Sequence, residues 1–442
     1  MTPRIAIPLA LAAAALHLAS PAGALAQRPA QPRDTLHLGV LQAEAVSHDP
    51  RARQLGLLEE QSTLRQKSLG AERLPELGVN AQGQYQSDVP TIPIQLPGGV
   101  SAPLPPHDSY DAHLAARERL YDPTLGARRG LERAELAESQ ARVRSSLYAL
   151  RQSVNDAYFT ALLLQAQRQE LEAAIADLEA QLRVAGERVR QGSALPSESA
   201  ILEAELLRRR QSLAEIAANR GAALVVLGDL AGRAIADSDA LALPDLHDDV
   251  ARARASMGEL RARPEYEQFA RSRDVLEQRS EAAAAQNQPS VSAFGRVGYG
   301  RPGLDPLGSD FDQYWVAGVQ VEWAPWNWGT TRREREELQL QRQIVATEEA
   351  AFTESVRRGV ASDLATVDRL ESTLAADDTI IALRERVLHE TRLRFDEGVV
   401  TSAEFVDRET DALAARLARA THRVELARAR ARFLTLIGLE VR

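Results

Sequence analysis

The chain has 442 residues, a formal net charge of −9 and no cysteine. Without thiols there is no disulfide, thiolate metal site, cysteine nucleophile or lipidated N-terminal cysteine, and an acidic balance with no basic block argues against nucleic acid as a partner. Aromatic residues are only 5% and charged residues 26% of the chain, a composition that favours long helices over a large globular core.

Residues 1–26 have the pattern of a secretory leader: Arg4, an apolar run from Ile5 to Leu18, and the small-x-small cleavage site Ala24-Leu25-Ala26. A membrane anchor is the competing reading, but the run is short and contains His17. No other run of 18 apolar residues follows, so the exported chain is expected not to cross a membrane as helices.

A helical segment is expected at about Leu36–Arg73. An alternating segment follows, with Leu77, Val79, Ala81, Gly83 and Tyr85 on one face and Asn80, Gln82, Gln84 and Gln86 on the other. Val89 to His107 carries six prolines and reads as a long loop. The next strand sets Tyr110, Ala112, Leu114 and Ala116 against Asp111, His113, Arg117 and Arg119. From Thr124 to Leu195 there is no proline, and apolar residues recur at alternating spacings of three and four from Val143 to Val189, broken only at Arg168. That 3.5-residue period is a coiled-coil seam. A helix from about Arg128 to Arg190 would be roughly 95 Å long. It ends at Gln191-Gly192-Ser193-Ala194-Leu195-Pro196, where glycine suits a left-handed C-terminal turn and Ser197 is the expected N-cap of a return helix to about Leu230.

The chain then repeats itself. Pro50 and Pro75 recur as Pro264 and Pro289, offset by 214 residues. Tyr110 recurs as Tyr314, Gly192 as Gly398 and Leu230-Ala231-Gly232 as Leu436-Ile437-Gly438, offset by about 204–206. The second copy thus carries an opening helix at about Ala251–Gln286 and strands around Val291–Tyr299 and Trp315–Trp323. A long helix with Val360, Val367, Leu374, Ile381 and Leu388 every seven residues follows, then a tip at Gly398-Val399-Val400-Thr401 with Ser402 as expected cap. The repeats are taken as 27–243 and 244–442, each helix–strand–strand–helical hairpin.

Strands of about ten residues, apolar on one side and polar on the other, with aromatic residues near their ends, are the pattern of a transmembrane β-barrel. Tyr85, Tyr110, Tyr299, Trp315 and Trp323 are the candidate aromatic belt. An ordinary half-buried sheet also alternates, but four segments in duplicated positions with no globular core to cover them favour the barrel. Four strands cannot close, and an open edge is not tolerated in lipid, so copies must pool strands. Two copies give eight strands and a filled interior, three give twelve and a passage; the polar inner positions favour three. The expected fold is an α+β membrane protein: long antiparallel coiled-coil hairpins forming a helical tube, plus four transmembrane strands per subunit in a shared twelve-stranded trimeric barrel.

Thr35-Leu-His-Leu-Gly-Val-Leu-Gln-Ala-Glu-Ala-Val with His48-Asp-Pro50, Arg73-Leu-Pro75-Glu-Leu, Tyr121-Asp-Pro123 and the two tips ending at Glu198 and Glu404 follow one another in an order that resembles the TolC outer-membrane efflux protein family. The resemblance spans about 400 residues. It implies a homotrimer in outer-membrane lipid with its helical tunnel in the periplasm. Its role would be the passive exit duct of a tripartite efflux or type I secretion system, joined by a periplasmic adaptor protein to an inner-membrane pump of the RND, ABC or MFS type. Carboxylates abound as on any exposed coiled coil, but no catalytic constellation rises above them, and no catalysis or cofactor is expected. The resemblance also implies a periplasmic constriction by acidic residues inside the second tip, where Glu404 and Asp407 stand; in the first copy Glu198 matches Glu404 but Ile201 replaces the partner of Asp407. Phe395 and Val400 occupy positions where polar tethers between tips are expected.

Gly192, Ser193, Ala194 and Leu195, with Gly398, Val399, Val400 and Thr401, are candidate adaptor-docking residues, because exposed apolar groups at a helix turn suit a partner. Leu195, Val399 and Val400 would otherwise staple their own turns. The eight histidines are scattered without ligand spacing, and Gly295-Arg-Val-Gly298-Tyr-Gly300 lies in a strand pattern, not before a phosphate-binding helix. The alternative function is a periplasmic coiled-coil scaffold without channel activity.

Overall fold

A computed structural model describes residues 35–89, 105–255, 262–305 and 308–440. The leader expected over 1–26 and most of the proline-rich loop lie outside the described residues. Two long helical hairpins and a four-stranded sheet dominate the chain. In order it runs β1 (Thr35–Leu36), α1 (Leu38–His48), α2 (Ala52–Ala71), β2 (Glu76–Tyr85), β3 (Asp108–Tyr121), α3 (Pro123–Arg190) and α4 (Pro196–Ala231). The second repeat has β4 (Ala240–Leu241), α5 (His247–Ala255), α6 (Pro264–Ala285), β5 (Ser290–Arg301), β6 (Asp312–Glu322), α7 (Thr330–Asp396) and α8 (Ser402–Leu436).

Each opening segment, expected as one helix, is two. Asp49-Pro50 divides α1 from α2 and Pro264 starts α6, because proline cannot donate within a helix and the residue before it is pushed out of helical backbone. The helix α3 begins at Pro123, earlier than the seam suggested. Asp122 caps it, accepting the Thr124 amide at 2.9 Å from extended backbone, and Pro123 fills the first helical position, where no donor is needed. At 68 residues α3 is about 100 Å long. Its seam residues are buried or half-buried throughout, and Asn155, Tyr158, Phe159 and Leu162 widen the covered face because α3 packs on α4, α6 and α8 at once.

Both hairpin turns are Schellman closures. Gly192 (φ 72°) and Gly398 (φ 74°) take left-handed backbone. Ser193 N–H then returns to Arg188 O at 2.9 Å, and Val399 N–H to Arg394 O at 2.8 Å. The return helices start differently from expectation. Leu195 is the N-cap of α4 with no side-chain bond, Pro196 taking the first turn; Thr401, not Ser402, caps α8 by accepting the Glu404 amide at 3.3 Å.

The chief core lies where both hairpins meet the opening helices, around Leu38, Leu41, Val154, Tyr158, Leu227, Leu246 and Phe433. An unexpected two-residue parallel pairing joins β1 to β4 there, linking the repeats. Tyr158 OH lies 2.9 Å from Leu36 O and 2.6 Å from Ala242 O, and its burial drives the phenol pKa far up. A second cluster near the tips joins Leu171, Leu178 and Leu202 to Phe395 and Phe405.

The large sheet has the order β2-β3-β5-β6, all antiparallel. The β3–β5 pairing fuses the hairpins of the two repeats, leaving β2 and β6 as edges. The sheet is open within one chain.

Candidate functional site: sheet faces and hairpin tips

Register turns four alternating strands into two continuous faces. Val79, Leu114, Val297 and Trp315 form one cross-strand row; Leu77, Ala116, Gly295 and Ala317 form another. Val79 is 82% and Trp315 74% exposed, and among the described residues no helix packs substantially on either side of the sheet. The opposite face carries Gln82, Asp111 and Asp312 in one row and Asn80, His113 and Tyr314 in the next. There His113 Nδ1 is 2.5 Å from Asp111 Oδ2, Tyr314 OH donates to Asp111, and Arg296 lies over the Tyr314 ring at 5.6 Å. Gly298 makes this cluster possible: a Cβ there would come within 2.7 Å of His113 and 2.8 Å of the Tyr314 ring.

Four of the five expected belt residues lie at the sheet's two ends. Tyr85, Tyr110 and Tyr299 stand at the loop end, where Phe311 stacks on Tyr299 and Tyr110 at 5.5 and 6.1 Å. Trp323 lies one residue past β6 at the helical end, its indole donating to Asn287 O at 3.0 Å. Trp315 is the fourth residue of β6, within the strand. Sequence reasoning missed Phe311, Trp326 and Trp328; the exposed Trp326-Asn-Trp328 pair just beyond a strand was the available signal.

At the far ends of the hairpins, helix termini of one repeat are closed by side chains of the other. Arg188, near the end of α3, donates to Phe395 O at 2.7 Å and to Asp396 O, supplying donors to the C-terminus of α7, and its guanidinium lies 5.6 Å from the Phe395 ring. Glu198 accepts the Ser402 amide at 2.6 Å, placing a carboxylate on the N-terminus of α8. Phe395 stacks on Phe405 at 5.0 Å, and Arg392 pairs with Asp177. Polar ties therefore do join the hairpins, through side chains other than those of Phe395 and Val400.

A cleft of about 360 Å³ separates the two turns, bounded by Arg188, Leu195, Glu198, Phe395 and Val399. Leu195 and Val399 stay exposed at 68% and 69%, whereas Val400 packs on the tip cluster. Gly192, Ser193, Gly398 and Thr401 are exposed and Ala194 is half-buried. Glu404 and Asp407 are both exposed on α8. Asp407 lies 3.3 Å from Arg408, and Thr401-Ser-Ala-Glu404 has the sequence of a capping box.

Deeper in the hairpins, Arg209 of α4 meets Glu409 of α8 at 2.6 Å, both side chains 1% exposed, and its Nε reaches Glu205 at 2.8 Å. Asp363 of α7 is buried with one carboxylate oxygen unpartnered, 3.3 Å from Arg432 through the other, and burial raises its pKa. Among the described residues no group of three or more histidines and carboxylates is placed to hold a metal ion, and no helix is long and apolar enough to cross a membrane.

Two hairpins of this length, carried on a four-stranded open sheet with an uncovered apolar face, have the fold of the TolC-family outer-membrane channels. The structure is similar to CusC, described for conformational changes accompanying transmembrane channel formation, with TM-score 0.67 and 17% identity over 91% of this chain and 92% of that one. It is similar to VceC of Vibrio cholerae, an outer membrane protein, with TM-score 0.65 and 16% identity over 92% and 97%. The open-state outer membrane channel MtrE of Neisseria gonorrhoeae gives TM-score 0.64 and 20% identity over 92% and 89%. No protein-family model and no curated protein matches the chain; at these identities the likeness is one of fold.

Proposed function

We propose that the chain is the outer-membrane exit duct of a tripartite efflux or type I secretion system. It acts as a homotrimer, conducting passively what an inner-membrane pump of the RND, ABC or MFS type delivers through a periplasmic adaptor. The observation that carries this reading is the sheet: an apolar face that the chain leaves uncovered and two free edges, on strands long enough to span a hydrocarbon core. A periplasmic scaffold has no use for such a face. Unpaired edges in lipid demand further strands, and three copies would close twelve around the polar rows.

The α3–α4 and α7–α8 hairpins would continue the duct into the periplasm. Leu195 and Val399 would offer the adaptor an apolar contact beside the cleft between the turns. Glu404 and Asp407, three residues apart on one helix face, would bring six carboxylates together at the entrance of a trimer. Like charges at that spacing repel and attract cations. Glu198, which ties α8 to the first hairpin, would brace this entrance.

Mass measurement of detergent-solubilised protein is expected to give a trimer, and planar-bilayer recording a conductance blocked by divalent cations. A stable monomer overturns the duct. Block that persists in Glu404→Ala/Asp407→Ala overturns the acidic constriction alone.

A further inference from the structure

The repeats differ in charge where strand passes into long helix. In the first, Glu72 closes α2 and accepts from Arg128 at 2.5 and 3.0 Å and from Arg119 at 2.9 Å. The Arg128 contact holds its carboxyl below the usual range. Asp122, which caps α3, lies 3.3 Å from Arg119. The cap positions that correspond in the second repeat are Gln286, closing α6, and Gly329, preceding α7. Both are uncharged, and the first two turns of α7 carry Arg332, Arg333 and Arg335 against Glu334 and Glu336.

Between α6 and α7 at this junction lies a cleft of about 660 Å³. Its lining contains three arginines and two glutamates. Arg342 pairs with Glu277 at 2.9 Å and Arg332 with Glu336 at 2.9 Å. Arg335 donates only from Nε, to Ser280 Oγ at 3.2 Å; its two terminal nitrogens have no ion-pair partner among the described residues. An open guanidinium fork thus remains in the cleft.

Three tryptophans neighbour its lining residues: Trp323 by contact with Asn287, and Trp326 and Trp328 as the chain neighbours of Asn327. Trp323 donates to the backbone of Asn287, a lining residue. Trp326 and Trp328 are 75% and 82% exposed and meet edge to face at 6.0 Å. Trp328 holds φ 54°, a left-handed backbone that bulky residues rarely adopt, and that turn leaves its ring outside.

We propose that this cleft binds the phosphate headgroup of an anionic glycerophospholipid from the inner leaflet of the outer membrane. The proposal rests on the membrane placement of the sheet argued above. Tryptophans beyond the strand ends sit at headgroup depth. The Arg335 fork matches two phosphate oxygens as a lysine cannot, and the exposed indoles offer apolar surface to the glycerol and upper acyl chain. Free phosphate would meet the fork but not the indoles.

Native mass spectrometry of delipidated trimers titrated with phosphatidylglycerol tests this. Wild type is expected to retain up to three lipids per trimer, and Arg335→Gln to bind about tenfold more weakly. Arg335→Lys should fall between, since it keeps charge without the fork, and millimolar inorganic phosphate should not displace the lipid. Equal retention by wild type and Arg335→Gln overturns the site; displacement by phosphate overturns the lipid as its occupant. Trimer mass and conductance, unchanged in Arg335→Gln, report separately on the duct.

Discussion

Arg209 is the largest fully buried side chain among the described residues, on α4, which also supplies Leu202 and Leu206 to the tip cluster. Two charges removed from water are stabilising only while each satisfies the other, and Glu409 and Glu205 together occupy the guanidinium. Burial tends to raise the Glu205 pKa, but bonds from Arg208 and Arg209 outweigh it and bring the net shift down. Arg209→Ala is therefore expected to cost ~3–5 kcal/mol by stranding Glu409, while Arg209→Met with Glu409→Leu should be neutral or stabilising. Thermal unfolding checks the order: the single variant melting well below wild type, the double variant not. A single variant that melts with wild type would show the pair to be dispensable. No periodicity announced this pair, because Arg209 and Glu409 lie 200 residues apart and each alone looks like a solvated helix charge.

At the scale of elements, the glycines of the two turns were legible because a left-handed residue after a helix is a local requirement. The cross-repeat caps were not. Arg188 and Glu198 end on backbone groups of α7 and α8 that sequence alone leaves unpaired. Because those bonds tie the hairpins inside one chain, Arg188→Ala/Glu198→Ala should loosen the tips and, in the proposed duct, raise single-channel conductance several-fold, each lost charge-assisted bond weakening the tie by ~1.5–3 kcal/mol. Bilayer recordings matching wild type would remove these ties from the proposed gate. The misplaced caps have the same origin as the missed ties: Ser197 and Ser402 look like N-caps by composition, but Pro196 sets the start of α4, and Thr401 starts α8 one residue earlier.

At the scale of the molecule, the two faces of the sheet are expected to tolerate opposite chemistry. Val297→Arg on the apolar face should cost ~2–4 kcal/mol in lipid and deplete heat-resistant trimers from the outer-membrane fraction, whereas Asn80→Arg on the polar face should leave them. Equal trimer yields for the two variants would contradict the assignment of the faces.

The sequence by itself determined the duplication, the long helices, their turns and the alternation of the strands, because each is a local repeat of period 3.5 or 2 or a backbone demand met by one residue. Only the tertiary structure decided that β3 pairs with β5, so that four separate stripes become one apolar face. It also decided that β1 and β4 close the two repeats on each other, and which charges lie buried together. These depend on register and packing between segments about 200 residues apart, and no local pattern carries that information.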